Sequence, residues 1–281
     1  MKKYLLCVIG LIILTFFSFL NYFVFDFYIK TNKKIYAFTK TDSNTIYLND
    51  IPYVIKGVNI GAGIPGHFAT DYAIDKKQYK RWFKQIQDMG ANTIRVYTIL
   101  SPDFYNAFYE YNEKNDNPLY LLHGVWVNDY IQNSKRDAYS KDFGEKLLSD
   151  TKVMIDVIHG RKYIPPNSSY ANGLYTKNIS KWTIGYILGV EWEDVTVAYT
   201  NHKNIVPAYK GEYISAKDNA TAFSSLLAYI GDNSVKYESE KYGEQRLLAF
   251  SNWPTTDPIT YSEKVSTYFK KSAKVDVEEL E

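Results

Sequence analysis

The feature that most constrains this chain is a repeated alternation of apolar strand-like runs with amphipathic helical stretches. The apolar runs are "YVIKGVNIG" (53–61), "NTIRVYTI" (92–99), "LYLLHGVWV" (119–127), "WTIGYILGVEW" (182–192) and "RLLAFSNWP" (246–254). Between them lie "DKKQYKRWFKQIQDMG" (75–90), "SPDFYNAFYEYNEK" (101–114), "KDFGEKLLSDTKVMIDVIHG" (141–160) and "NATAFSSLLAYIGDNSVKYESEKYG" (219–243), with apolar residues at helical spacing. Ser101 and Pro102 mark a helix start, and Gly90 marks a helix end. Strands apolar along their whole length, each followed by a helix, predict an α/β fold with a parallel sheet covered by helices. A hairpin is predicted ahead of the first run, turning at Asn49–Asp50.

Two architectures accommodate this pattern. A doubly wound sheet needs a glycine-rich phosphate turn after the first strand, but "GVNIGAGIPG" lacks the G-x-G-x-x-G spacing and carries a proline. Polar and aromatic residues instead gather at the C-terminal end of every strand, where a (β/α)8 TIM barrel builds its active site. The barrel is therefore the expected fold. Eight strands close such a barrel and five are read here, so the expectation is a barrel incomplete at its C-terminus, completed by another polypeptide or by a longer form of the chain.

The N-terminus forms a separate region. Residues 4–25 carry no charge, and at 1.5 Å per residue they cover the ~30 Å hydrocarbon core of a bilayer. The run ends in bulky residues without a small-x-small cleavage site, so an uncleaved transmembrane signal anchor (1–26) is preferred to a signal peptide. Residues 27–44 read as a polar stalk and 45–281 as the barrel domain. Lysines flank the apolar run on both sides, leaving orientation undecided by charge. The expected location is the cell membrane, single-pass, with the main domain extracellular. Cys7 is the sole cysteine, which excludes an intrachain disulfide and a thiolate zinc site.

The 281 residues have a net charge of +2, which gives no field for nucleic acid. The 27 Tyr, 15 Phe and 5 Trp amount to 17% of the chain, a surplus suited to flat sugar rings wherever it lies on loops. Neither a cofactor nor a metal site is expected, since no histidine has ligand spacing. At the strand ends, Glu191 is the candidate general acid/base. Trp192 beside it is expected to lower the local dielectric and raise its pKa. Read without its neighbours, Glu191 is equally a solvated strand end. Arg95, a charge inside an apolar strand, is costly unless paired. It reads as a structural salt bridge, as the orienting partner of a catalytic carboxylate, or as both. His123 is a satisfied core histidine or a polar contact at the mouth. Asn59, Arg95, Tyr97, His123, Trp126, Trp192, Asn252 and Trp253 complete the expected substrate-binding set, the tryptophans as a stacking platform.

"YLNDIPYVIKGVN" followed by "MGANTIRVYTI" resembles the barrel domain of family 2 glycoside hydrolases and their clan of retaining enzymes. It is also similar to the β-1,3-glucan-remodelling transglycosylases of fungal cell walls. The resemblance spans residues 44–260. It implies a retaining mechanism on an oligo- or polysaccharide, with Glu191, at the tip of strand four, as acid/base. In this clan Asn precedes that Glu, whereas Val190 stands here. The clan's nucleophilic Glu belongs to strand seven, which is not read in this chain; Glu278 and Glu279 fall too early to be assumed substitutes. The alternatives are a non-catalytic carbohydrate-binding or interaction protein and a glycan transglycosylase.

Overall fold

The computed structural model describes residues 2–25, 27–31, 34–127, 131, 133–134, 137–166, 168 and 170–281. Met1 and Asp26, at the ends of the expected anchor, lie outside the described residues.

The chain opens with α1 (Lys2–Phe23), whose Tyr4–Phe23 stretch has a mean hydropathy of 2.3 and is 0% buried. A helix of this length and composition is long and apolar enough to cross a membrane, and a signal sequence meets the same criterion. Within the segment read as a polar stalk, Thr31 N–H donates to the Glu240 carbonyl and Tyr36 N–H to the Gly243 carbonyl. These backbone donors find acceptors there, so the packed region begins ahead of residue 45.

An antiparallel meander comes next, with strands β1 (Thr39–Asp42), β2 (Thr45–Leu48) and β3 (Ile51–Tyr53). Asn49 and Asp50 turn the second hairpin with φ of 49° and 65°. Both lie in the left-handed region that a tight two-residue hairpin requires, as the sequence predicts.

Strands β4 (Gly57–Ile60), β5 (Thr93–Val96) and β6 (Tyr120–Val125) begin the main sheet. A separate antiparallel ribbon, β7 (Lys162–Ile164) with β8 (Gly173–Tyr175), precedes the sheet's last two strands, β9 (Thr183–Val190) and β10 (Leu247–Ser251). All pairings in the main sheet are parallel, and its order is β10-β9-β6-β5-β4. Each strand is laid beside its predecessor, so the winding never reverses; a doubly wound sheet would switch direction. The sheet is open, with β4 and β10 as its edges. The architecture is therefore mixed α/β with a five-stranded parallel sheet, and the expected closed eight-stranded barrel is not present among the described residues.

Helices α2 (Lys76–Asp88), α3 (Pro102–Asn112), α4 (Lys146–Ile158), α5 (Asp194–Lys203), α6 (Ala222–Tyr242) and α7 (Glu263–Tyr268) complete the fold. The main core lies between helices and sheet, where Ile94, Val96 and Leu121 are buried with Phe83, Phe104, Phe108 and Ile155. Apolar positions at helical spacing on α2 and α3 put those phenylalanines on one face, stacked or edge-to-face at 5.6–5.8 Å. A second cluster of Phe38, Leu48 and Ile184, with Leu122 and Leu247 packed against it, seats the meander on the sheet.

Candidate functional site

The site is built from the C-terminal ends of the parallel strands. Asn59 and Arg95 are partners in the β4–β5 register and so share one face of the sheet. Ile94 and Val96, alternating with Arg95, are fully buried in the core, whereas Arg95 is half-buried and Asn59 exposed. The Arg95 guanidinium lies 4.7 Å from the centre of the Tyr97 ring, which meets the Trp126 ring edge-on at 5.9 Å. Asn59, Arg95, Tyr97 and Trp126 thus form a polar and aromatic strip across the ends of three strands.

Arg95 carries the clearest signal. Its Nε and Nη2 are buried and have no acceptor. The structural salt bridge that would explain an arginine on a central strand is absent among the described residues. Burying polar nitrogens without acceptors costs a few kcal/mol, more when they carry charge, so the position is not explained by stability.

Two clefts flank the strip. One, of about 410 Å³, is lined by Val58, Asn59, Gly61, Trp82 and Ile86 at the β4 edge. The other, of about 530 Å³, lies beyond the ends of β5 and β6, lined by Tyr72, Thr98, Trp126, Asp142, Asp150 and Tyr170. Within it the Tyr170 hydroxyl donates to Asp150 Oδ1 at 2.9 Å, and Lys146 pairs with the same carboxylate. Burial pushes the Tyr170 phenol well above its usual range, and the Asp150 charge adds to this. Tyr72, Asp150 and Tyr170 are not marked by the sequence. Asp150 sits inside an ordinary amphipathic helix pattern, and the two tyrosines lie on loops with no motif.

The tip of β9 is distorted. Gly189 has φ of 76° and Glu191 φ of 57°, two left-handed residues within three positions. The β10 pairing slips here, between Ala249 and Ser251. Glu191 N–H is nevertheless satisfied by the Ser251 carbonyl at 2.7 Å, which fixes the half-buried Glu191 against the neighbouring strand end. A left-handed glutamate is strained, and such strain concentrates where function requires a fixed side chain.

Three other expected site residues are placed differently. Trp192 is fully buried, its ring 6.0 Å from Phe143 and 5.2 Å from Phe223, so it is not a stacking platform. The left-handed backbone before it turns the indole into the core. His123 is also fully buried: its Nε2 pairs with the Tyr105 hydroxyl at 2.7 Å and its Nδ1 with the Gly124 carbonyl at 3.0 Å. Burial lowers its pKa to about 4. It is a satisfied core histidine on the helix side of the sheet. Asn252 donates from Nδ2 to the Val275 carbonyl at 2.8 Å, holding the chain after β10, while its buried Oδ1 has no donor. Trp253 is 48% exposed at the end of β10.

At the opposite end of the strands, His159, Glu238 and Glu244 bring their ligand atoms within 4.8 Å of one another. Arg246 donates to both carboxylates, so its guanidinium already supplies the positive charge there.

No protein-family model matches the chain, and no curated protein does. A solved structure of Bacteroides uniformis beta-glucuronidase 2 covalently bound to cyclophellitol-6-carboxylate aziridine is similar over 75% of this chain, with a TM-score of 0.43 and 11% sequence identity. The chain covers 20% of that protein's length. A superposition this loose bears on neither site nor activity.

Proposed function

We propose that the sheet is an arc of a glycosidase-type (β/α)8 barrel, carried on a membrane anchor formed by residues 1–26, and that it engages an extracellular or cell-envelope glycan. The observation that carries this reading is the Asn59–Arg95–Tyr97–Trp126 strip, in which a guanidinium without acceptors lies among aromatic rings beside open clefts. Sugars present hydroxyls to such donors and flat C–H faces to such rings. The single winding direction and the resemblance of the "YLNDIPYVIKGVN" and "NTIRVYTI" segments to retaining glycosidases agree with it.

In the catalytic form of this proposal, Glu191 protonates the glycosidic oxygen while a second carboxylate attacks the anomeric carbon. Glu191 then takes a proton from water, or from an acceptor sugar in transglycosylation. The second carboxylate would belong to further strands, in a longer form of the chain or a completing polypeptide, and Arg95 would orient it. A bidentate fork suits that task better than a lysine ammonium. A second reading, a non-catalytic glycan-binding protein, is favoured by one observation: among the described residues no carboxylate pairs with Arg95.

Glu191→Gln separates the two. In the enzyme it should lower turnover of natural glycans by roughly 10² to 10⁴-fold. Activated aryl glycosides should be spared, and azide should rescue the variant. Glycan binding without turnover, unchanged by Glu191→Ala, establishes the binding protein instead.

A further inference from the structure

The end of α1 and the segment that follows it are clamped to the fold at two points. The Arg161 guanidinium lies 4.3 Å from the centre of the Tyr22 ring, and its Nε donates to the Tyr22 carbonyl at 3.3 Å. A few residues on, the Tyr28 hydroxyl donates to Glu240 Oε2 at 3.1 Å, and Lys30 pairs with Oε1 of the same carboxylate at 2.6 Å. The Tyr28 ring also meets Tyr237 edge-on at 5.6 Å.

Both clamps fall at the N-terminal end of the parallel strands. Arg161 comes just after α4, where the Ile158 carbonyl accepts from Ile179 just ahead of β9. Glu240 is near the end of α6, which leads through Arg246 into β10.

We infer that this N-terminal face of the domain rests in the phospholipid headgroup layer of the bilayer that α1 crosses, and that the strip of Asn59, Arg95, Tyr97 and Trp126 faces away from it. The inference rests on the proposed anchor. The 20 residues of Tyr4–Phe23, rising 1.5 Å each, fill a hydrocarbon core of ~30 Å and leave Tyr22 at its boundary, the depth at which tyrosine concentrates. Arg161 touches Tyr22, so it lies within one side-chain length of that boundary. Its apolar stem and planar fork suit the acyl–phosphate junction.

The surroundings agree. Phe25 and Phe27, between the clamps, and Ile29, within the second, are 46%, 73% and 94% exposed. Lys34, two residues before the Tyr36 that bonds to Gly243 at the end of α6, and Lys181, just ahead of β9, are both exposed. The eight residues of β9 span roughly 26 Å at ~3.3 Å each, so the strand ends stand about that far from the lipid if the strands run near the bilayer normal.

The test uses the full chain with Cys7→Ser and one introduced cysteine, labelled with a fluorophore. The protein is reconstituted in phosphatidylcholine–phosphatidylglycerol vesicles containing a headgroup-nitroxide lipid. Labels at Lys34→Cys and Lys181→Cys should lose most of their emission, and a label at Trp253→Cys should keep it. Equal emission from all three positions, in protein that resists carbonate extraction, overturns the apposition and leaves the anchor standing. Quenching at Trp253→Cys alone overturns it in favour of the inverted orientation. Release of the chain by carbonate removes the anchor and, with it, the inference.

Discussion

Single residues at the strand ends bear the sharpest consequences. A Cβ on Gly189 would stand 1.7 Å from the Trp192 ring, at a φ of 76° that L residues rarely adopt. Gly189→Ala must therefore displace a fully buried indole as well as strain the backbone. A left-handed residue and an overpacked core together cost about 3 kcal/mol or more, measurable by chemical denaturation. Arg95 should behave oppositely. Its buried nitrogens gain no internal hydrogen bond, so Arg95→Met should leave Tm unchanged or raise it while glycan binding falls. A large drop in Tm would show that Arg95 has a structural partner. His123 sets a pH dependence. It titrates near 4 in the folded protein and near 6.5 once unfolded. Above pH 6.5 both states are neutral at this site and it adds no slope. As pH falls from about 6.5 towards 4, only the unfolded state takes up the proton, so stability declines, by about 3 kcal/mol in total. His123→Gln should flatten that part of the stability–pH curve measured by urea titration.

At the scale of elements, the strands and helices were legible because their apolar periods are long and undisturbed, and Asn-Asp turns announce themselves. The ribbon β7–β8 was not: three-residue strands beside "IPP" carry too little period to register. Side-chain direction was the weaker reading. Alternation along a strand predicts which residues share a face but not which face is core, and this leaves His123 open between the core and the mouth. Beyond Gly189 the alternation itself breaks, since two left-handed residues and a slipped register redirect the next side chains, and this misplaced Trp192. Arg95 was legible as an anomaly because a charge in an apolar strand needs no alignment to be noticed. The network tying α6 to β9 and β10 leaves no local signature, because its members are far apart in sequence. Glu238, 1% exposed, accepts from Arg246 Nε and His159 Nε2 at 2.8 Å and from the Tyr186 hydroxyl at 2.7 Å. Burial alone would raise this carboxyl, but Arg246, His159 and Tyr186 hold it below the usual carboxylate range. Glu238→Gln leaves Arg246 without its main counter-charge and should cost about 3–5 kcal/mol, read as a fall in Tm with the secondary structure retained.

At the scale of the molecule, an all-parallel sheet is ordinarily covered on both faces. Here the helices cover one face, and the meander packs on the other through Leu122 and Leu247. Asn59 and Ala249 remain exposed, on the two edge strands. An edge strand leaves half its backbone donors and acceptors without sheet partners, and β4 and β10 are both edges. If further strands close the arc, those same amides become the most altered in the protein, whereas β5, β6 and β9 are already paired on both sides. Hydrogen exchange measured by mass spectrometry should therefore show β4 and β10 exchanging at least roughly tenfold faster than β9 in this chain alone, since edge openings need only local unfolding. In a longer form, or with a completing polypeptide added, protection should rise at Gly57–Ile60 and Leu247–Ser251 and hardly change in the centre. Rates at the two edges that stay fast in the presence of every candidate partner would show that the arc works open, as the binding protein rather than the enzyme.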